Sequence, residues 1–357
     1  MKRTLILLAL AVCLLGGQAL AAELPREVVN AAPEAAELVG NDPADGFGLT
    51  SGIRILWEGA LDDLKDYLFS GVRAVGAIMA GVVLLGAAES AAPAGKDLLG
   101  RYGTAVGALW VTAMAAGDLD SLMGLGRETI VRISQLSKAL LPTLAAAEAA
   151  SGGITAASVR QVAAVFFSDV LLTVIDQALL PAVYLYIGIA AAGTVLEGEA
   201  MERMGELLKK AIGWVLGGML ALFTTYLTVS GAIAGAADAQ AVKAAQSAVS
   251  AAVPVVGGIL SEAAESILAG AGLLKGMIGT AGTLALLGAC LLPFLRLGCQ
   301  YLLYQGASLV AAAAGPGKLT KLIARLGDAF ALVLAMTGAS AALLLISMLS
   351  AVKAVAP

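Results

Sequence analysis

Leu140-Leu141-Pro142 is followed 39 residues later by Leu179-Leu180-Pro181, and the pattern recurs as Ala252-Val253-Pro254 and, again 39 residues on, Leu291-Leu292-Pro293. The offset between the copies is 112 residues, and Leu207 and Lys209 fall on Leu319 and Lys321. The copies have diverged: Lys138 falls on Ser250. A fixed internal period marks a duplicated unit. In a membrane protein it suggests a duplicated channel or transport core. Each first proline opens an Ala/Gly/Ser/Glu-bearing segment, 143–158 and 255–270, and each second proline breaks a long apolar stretch.

The membrane class follows from composition. Over 357 residues the chain is 59% hydrophobic and 13% charged, with a mean hydropathy of +0.90. Those values describe a polytopic membrane protein. The apolar content is rich in Ala, Leu, Val and Gly, and small residues let helix backbones approach closely in a bilayer. A net charge of −4 gives no reason to expect nucleic acid. The absence of histidine removes Ser-His and Cys-His pairs, His general bases and the commonest zinc ligands. Of three cysteines, Cys290 and Cys299 sit in apolar surroundings and read as small hydrophobes. No metal cluster, cofactor motif or nucleotide fingerprint is present, and nothing points to an enzyme.

Residues 1–22 read as a signal peptide: Lys2 and Arg3, an apolar run from Leu5 to Leu15, and Ala19-Leu20-Ala21 as the cleavage pattern. Residues 23–71 form an extracytoplasmic N-terminal segment. Its Ile53, Leu56, Trp57, Leu61, Leu64 and Leu68 share one helical face and predict an amphipathic helix lying on the membrane. A first membrane hairpin over 72–117 follows, then repeat unit 1 over 118–236 and repeat unit 2 over 237–357. Eight spans are expected at about 72–88, 103–116, 159–178, 181–196, 211–233, 273–292, 294–314 and 329–351.

Loop charge orients them. Residues 197–210 carry Glu197, Glu199, Glu202 and Glu206, whereas 315–327 carry Lys318, Lys321 and Arg325 without an acid. The positive-inside rule then places these loops on opposite faces. That count requires the two proline-led segments to be re-entrant or interfacial. Each repeat holds an odd number of spans, so the second is inverted relative to the first. The expected fold is therefore all-α, with about eight transmembrane helices and an inverted repeat.

Ionisable groups at membrane depth are costly and mark water-lined sites by default. They are Glu148, Asp169, Asp176, Glu262, Glu265, Lys275 and Arg296. Glu262 and Glu265 share a helical face beside Ser261 and Ser266, and Glu148 and Ser151 occupy the first copy's equivalent segment. Glu148, Ser151, Glu262, Glu265 and Arg296 are the candidate pore or cavity lining. The alternative is an amphipathic helix at headgroup level with its carboxylates in water. Asp176 and Lys275 fall near predicted span ends and read as interfacial. Pro142, Pro181, Pro254 and Pro293 are the expected helix breaks, where wet or protein-lined interior is needed. Under the repeat, Glu148, Glu262 and Glu265 fall on Leu260, Ala150 and Gly153, which disfavours a symmetric ion site.

A family resemblance rests on several stretches in order. They are Ala139-Leu140-Leu141-Pro142 running into Ala149-Ala150-Ser151-Gly152-Gly153; Leu179-Leu180-Pro181; Gly231-Ala232; Val253-Pro254-Val255-Val256-Gly257; Leu292-Pro293-Phe294; and Gly315-Pro316-Gly317-Lys318. In these the chain resembles the stage III sporulation protein AE family of endospore-forming Firmicutes. The resemblance implies a multi-pass protein of the mother-cell membrane around the forespore. It implies a place in a channel, or secretion-like complex, that supports late forespore gene expression. Its implied partners are the other stage III A membrane proteins and, through them, the forespore-side channel component. It supplies no catalytic residues. The lipid bilayer is the other expected partner, and a homo-oligomer is compatible with the sequence. A self-sufficient secondary transporter and a non-conducting assembly scaffold are the rival readings.

Overall fold

In the computed structural model, residues 49–91, 97–150, 154–196, 199–252, 257–314 and 316–353 are described. Residues 1–22, expected to be a signal peptide, and the start of the segment expected to be extracytoplasmic lie outside them. Every element among the described residues is helical: α1 (Leu49–Ala91), α2 (Asp97–Ala150), α3 (Ile154–Val174), a π-helical turn (Ile175–Leu179), α4 (Leu180–Val195), α5 (Glu199–Ala252), α6 (Gly257–Ala314) and α7 (Gly317–Lys353). Among the described residues, five stretches are long and apolar enough to cross a membrane: Arg54–Ser90, Ala157–Val195, Glu199–Ser230, Gly282–Ala313 and Gly317–Met348.

This differs from eight spans in two ways: the expected span 103–116 lies in α2, which holds none of the five stretches, and elsewhere two pairs of spans are each one path. The helix runs through the prolines that were expected to end it. Pro142 lies inside α2 and Pro293 inside α6. Pro181 follows the π turn, in which the Leu180 N–H donates to Ile175 O. Proline lacks an N–H, and its ring crowds the carbonyl four residues back. The wider π turn accommodates that crowding without stopping the helix. The predicted spans 159–178 and 181–196 are thus one continuous path, as are 273–292 and 294–314. Pro142 does not open a re-entrant segment either: α2 continues through it to Ala150, and Thr143 Oγ1 donates to Leu140 O at 2.8 Å. Pro254 lies outside the described residues.

The amphipathic stretch predicted to lie on the membrane is the first part of α1. It packs into the bundle, with Ala60 and Leu64 buried and Leu56 against Gly288 of α6.

The path is three helical hairpins, α1–α2, α3/α4–α5 and α6–α7. Contacts fix their directions. Gly81 meets Trp110 and Gly107 packs against Leu85, so α1 and α2 run antiparallel. Gly193 meets Met201, and Gly205 meets Tyr186 and Ile189, so α4 and α5 do too. Gly327 beside Tyr304 and Gly282 beside Met348 do the same for α6 and α7. Gly107 also touches Leu319, and Gly126 touches Val333, so α2 runs parallel to α7. The three hairpin tips therefore point to one end of the bundle.

Helix α7 is the centre. Of its apolar window 61% is buried, against 22–33% for the other four. Leu319, Leu322, Ile323, Leu326, Phe330 and Met336 are each fully buried. Its repeat counterpart α5 stands at the periphery, where Trp214 is 82% exposed. A smaller second core joins Leu136, Leu140 and Leu144 of α2 to Leu286 and Cys290 of α6 and to Leu344 of α7.

The orientation of the repeat is corrected by the tips. Glu202 and Lys321, expected on opposite membrane faces, form an ion pair, with Nζ 3.2 Å from Oε1. Arg325 reaches the same oxygen at 3.1 Å, and Lys209 pairs with Asp328 at 2.8 Å. Each of the two segments expected as repeat units thus holds two long helical passes rather than three spans. Their last helices, α5 and α7, run parallel.

Candidate functional site

The seam between α2 and the α3–π–α4 path carries two ion pairs. Arg127 of α2 meets Asp176 of the π turn in a two-pronged pair, Nε to Oδ1 at 2.7 Å and Nη2 to Oδ2 at 3.1 Å. Further along, Lys138 Nζ lies 3.4 Å from Asp169 Oδ1. Seven residues separate Asp169 from Asp176, which is about two helical turns and places them on one side of the helix. A parallel fork of two hydrogen bonds is the strong form of an arginine–carboxylate pair. Both partners are nonetheless more than a third exposed, so its contribution to stability is that of a surface pair.

Beside this pair is a cavity of about 410 Å³, lined by Asp120, Arg127, Asp176, Pro181 and Tyr184 among others. Pro181 forms one wall, and the π turn that precedes it carries Asp176. The local backbone irregularity and the charged cavity thus adjoin one another. Two carboxylates, one guanidinium and a phenol around an open space can hold water or a small polar solute. Equally, they can accept polar groups of a neighbouring helix.

A second polar cluster sits between α1, α2 and α6. Gln300, 1% exposed, donates through Nε2 to Asp118 Oδ2 at 3.0 Å. The Tyr67 hydroxyl donates to Gln300 Oε1 at 3.4 Å. The Arg296 guanidinium lies 5.5 Å from the centroid of the Tyr67 ring, a cation–π distance.

The predicted lining residues do not converge. Arg296 joins the Tyr67 cluster. Glu148 lies on α2, 1% exposed, next to Ala147 of the second core. Thirty residues of α2 separate Asp118 from Glu148, roughly 45 Å of helix axis at 1.5 Å per residue. Glu262 and Glu265 lie on the helical backbone of α6, with their side chains outside the described set, and Ser151 is outside the described residues. Asp176, read as interfacial, lies in the charged seam, paired with Arg127. Arg127 and Asp120 were missed because 117–138 looked like a connection between spans. A signal was present: Asp120 and Arg127 are seven apart, the same interval as Asp169 and Asp176.

The model of the stage III sporulation protein AE family matches residues 49–355, nearly all the described chain. The chain belongs to the stage III sporulation protein AE family. The stage III sporulation protein AE of Bacillus subtilis (strain 168) is 22% identical over 204 residues, covering 57% of this chain and 51% of that protein. The chain spans about half the length of this curated relative. No solved structure matches. The family match begins where α1 begins and takes in the three prolines through which helix continues, Pro142, Pro181 and Pro293, as well as the charged seam.

Proposed function

We propose that this protein is a membrane component of the channel or secretion-like assembly joining mother cell and forespore, needed for late forespore gene expression. It sits in the mother-cell membrane around the forespore and works with the other stage III A membrane proteins, without catalysis of its own. The observation that carries this reading is the family match across both repeat units, combined with a charged, cavity-bearing seam on a stretch apolar enough to span a membrane. Such a seam is costly against lipid. It suits a subunit whose flank meets water or a polar partner.

The self-sufficient transporter is less well supported. A symmetric midplane site needs matching ligands in both repeats. Under the 112-residue offset, Asp120, Arg127 and Asp176 fall on Ala232, Ala239 and Gly288. The charged site exists in one unit only, as befits an assembled subunit.

Deletion in the native spore former tests the reading. Engulfment is expected to complete and late forespore expression to fail. Mature spores at normal yield would overturn it. Saturable solute uptake by the purified protein alone would favour the transporter.

A further inference from the structure

Behind the ion-paired side of the α2–α3 seam lies a small cavity lined by four serines: Ser134 and Ser137 of α2, Ser168 of α3 and Ser340 of the central α7. It leaves about 10 Å³ of free volume, near the room that one water molecule needs. Leucine and isoleucine side chains of the same three helices complete the wall. Ser137 is 2% exposed, and its Oγ has no hydrogen-bond partner among the described residues. Ser340 Oγ donates to Met336 O at 3.2 Å, which leaves its lone pairs available to a second donor. Buried hydroxyls are almost always satisfied, by protein or by ordered water. A space of this size with several polar neighbours is where a buried water binds, whereas purely apolar cavities stay dry.

The position adds to the chemistry. Lys138 and Asp169 directly follow Ser137 and Ser168 in sequence and form the ion pair on the exposed side of the same seam. Arg127, Asp176 and the larger cavity lie farther along it. The polar groups thus form a series along α2 and α3, and the serine cavity is its most buried member.

We propose that the four-serine cavity is a water-binding site, and that it is the innermost station of a hydrated seam between α2 and α3. Water there can donate to Ser340 Oγ and exchange hydrogen bonds with Ser137 and Ser168. The site does not depend on the sporulation role, so a failed deletion phenotype would leave it standing.

The test uses the full chain in native membranes, with Cys13, Cys290 and Cys299 replaced by alanine. Ser137→Cys and Ser340→Cys are exposed to silver ion, a thiol-reactive cation small enough to follow water. Blocked thiols are then counted after denaturation. Ala164→Cys, on the same seam but buried in the apolar second core, is the dry control. Ser137→Cys and Ser340→Cys are expected to react at least tenfold faster than the control. Rates equal to the control would overturn the proposal. A second measurement needs no cysteine. If water satisfies Ser137, then Ser137→Ala loses that bond and lowers the Tm. If the cavity is dry, removing an unsatisfied buried hydroxyl raises the Tm and counts against the site.

Discussion

Lys321 of α7 lies 3.2 Å from Glu202 of α5, a contact that ties together the acidic and basic hairpin tips of the two repeats. The two helices run parallel, and Lys209 reaches Asp328 across the same interface at 2.8 Å. Lys209 and Lys321 are repeat-related, and each finds its acid on the other unit. The opposite charges of the two loops are therefore complementary across a contact. They do not record opposite sides of a membrane.

The first prediction follows directly. Glu202→Cys and Lys321→Cys are expected to react with a membrane-impermeant thiol reagent from the same side of sealed vesicles. Labelling from opposite sides would restore the inverted repeat. The pair is 48% and 66% exposed at its two ends, so breaking it is expected to cost about 1 kcal/mol or less.

The Arg127–Asp176 pair separates stability from function. Arg127→Ala and Asp176→Asn are each expected to lower thermal stability by about 1 kcal/mol or less, because both groups are partly in water. Sporulation efficiency is expected to fall at least tenfold, and the charge-swapped double variant to recover part of it. Normal spore yield in both single variants would remove the seam from the functional account.

Packing on the central helix gives a sharper stability test. Gly126 abuts Val333, a stiff, buried β-branched side chain on α7. Gly126→Val is expected to destabilise the purified protein by about 1–3 kcal/mol, the usual cost of overpacking. Gly217→Val on α5, where a Cβ would meet nothing within 4 Å, is expected to be near neutral. Equal melting shifts for the two would contradict the central position of α7.

Pro181 supplies the fourth prediction. Pro181→Ala restores the missing N–H and removes the ring that crowds the preceding turn. The helix should remain intact while the π turn relaxes towards α-helical geometry, moving Asp176 away from Arg127. Helix content by circular dichroism is expected to be unchanged. A double-mutant cycle between positions 127 and 176 in this background should show less coupling than in the parent. Undiminished coupling would mean that the π turn does not position Asp176.

Some of the charged seam was legible in sequence. Asp169 and Asp176 stood out as acids at membrane depth, and Pro181 as an irregularity beside them. Their basic partners were not legible, because Arg127 and Lys138 lie on a helix whose lower half resembles a connecting segment. Only the packing of α2 against α3, α6 and α7 makes that half part of the bundle. Glu148 and Arg296 stood out in sequence as ionisable groups in apolar stretches, but spacing could not show that they belong to different helix interfaces.

The sequence by itself determined the all-helical class, the stretches apolar enough to span a membrane and the family resemblance, because composition and residue order are properties of the chain alone. The tertiary structure decided how many times the chain turns. In an apolar environment, ending a helix strands several backbone N–H and C=O groups with no water to meet them, whereas continuing through a proline forfeits about one hydrogen bond. The helices at Pro142, Pro181 and Pro293 therefore continue. That single preference converts an odd count of spans per repeat into an even count of passes, and with it brings Glu202 and Lys321 to the same end of the bundle.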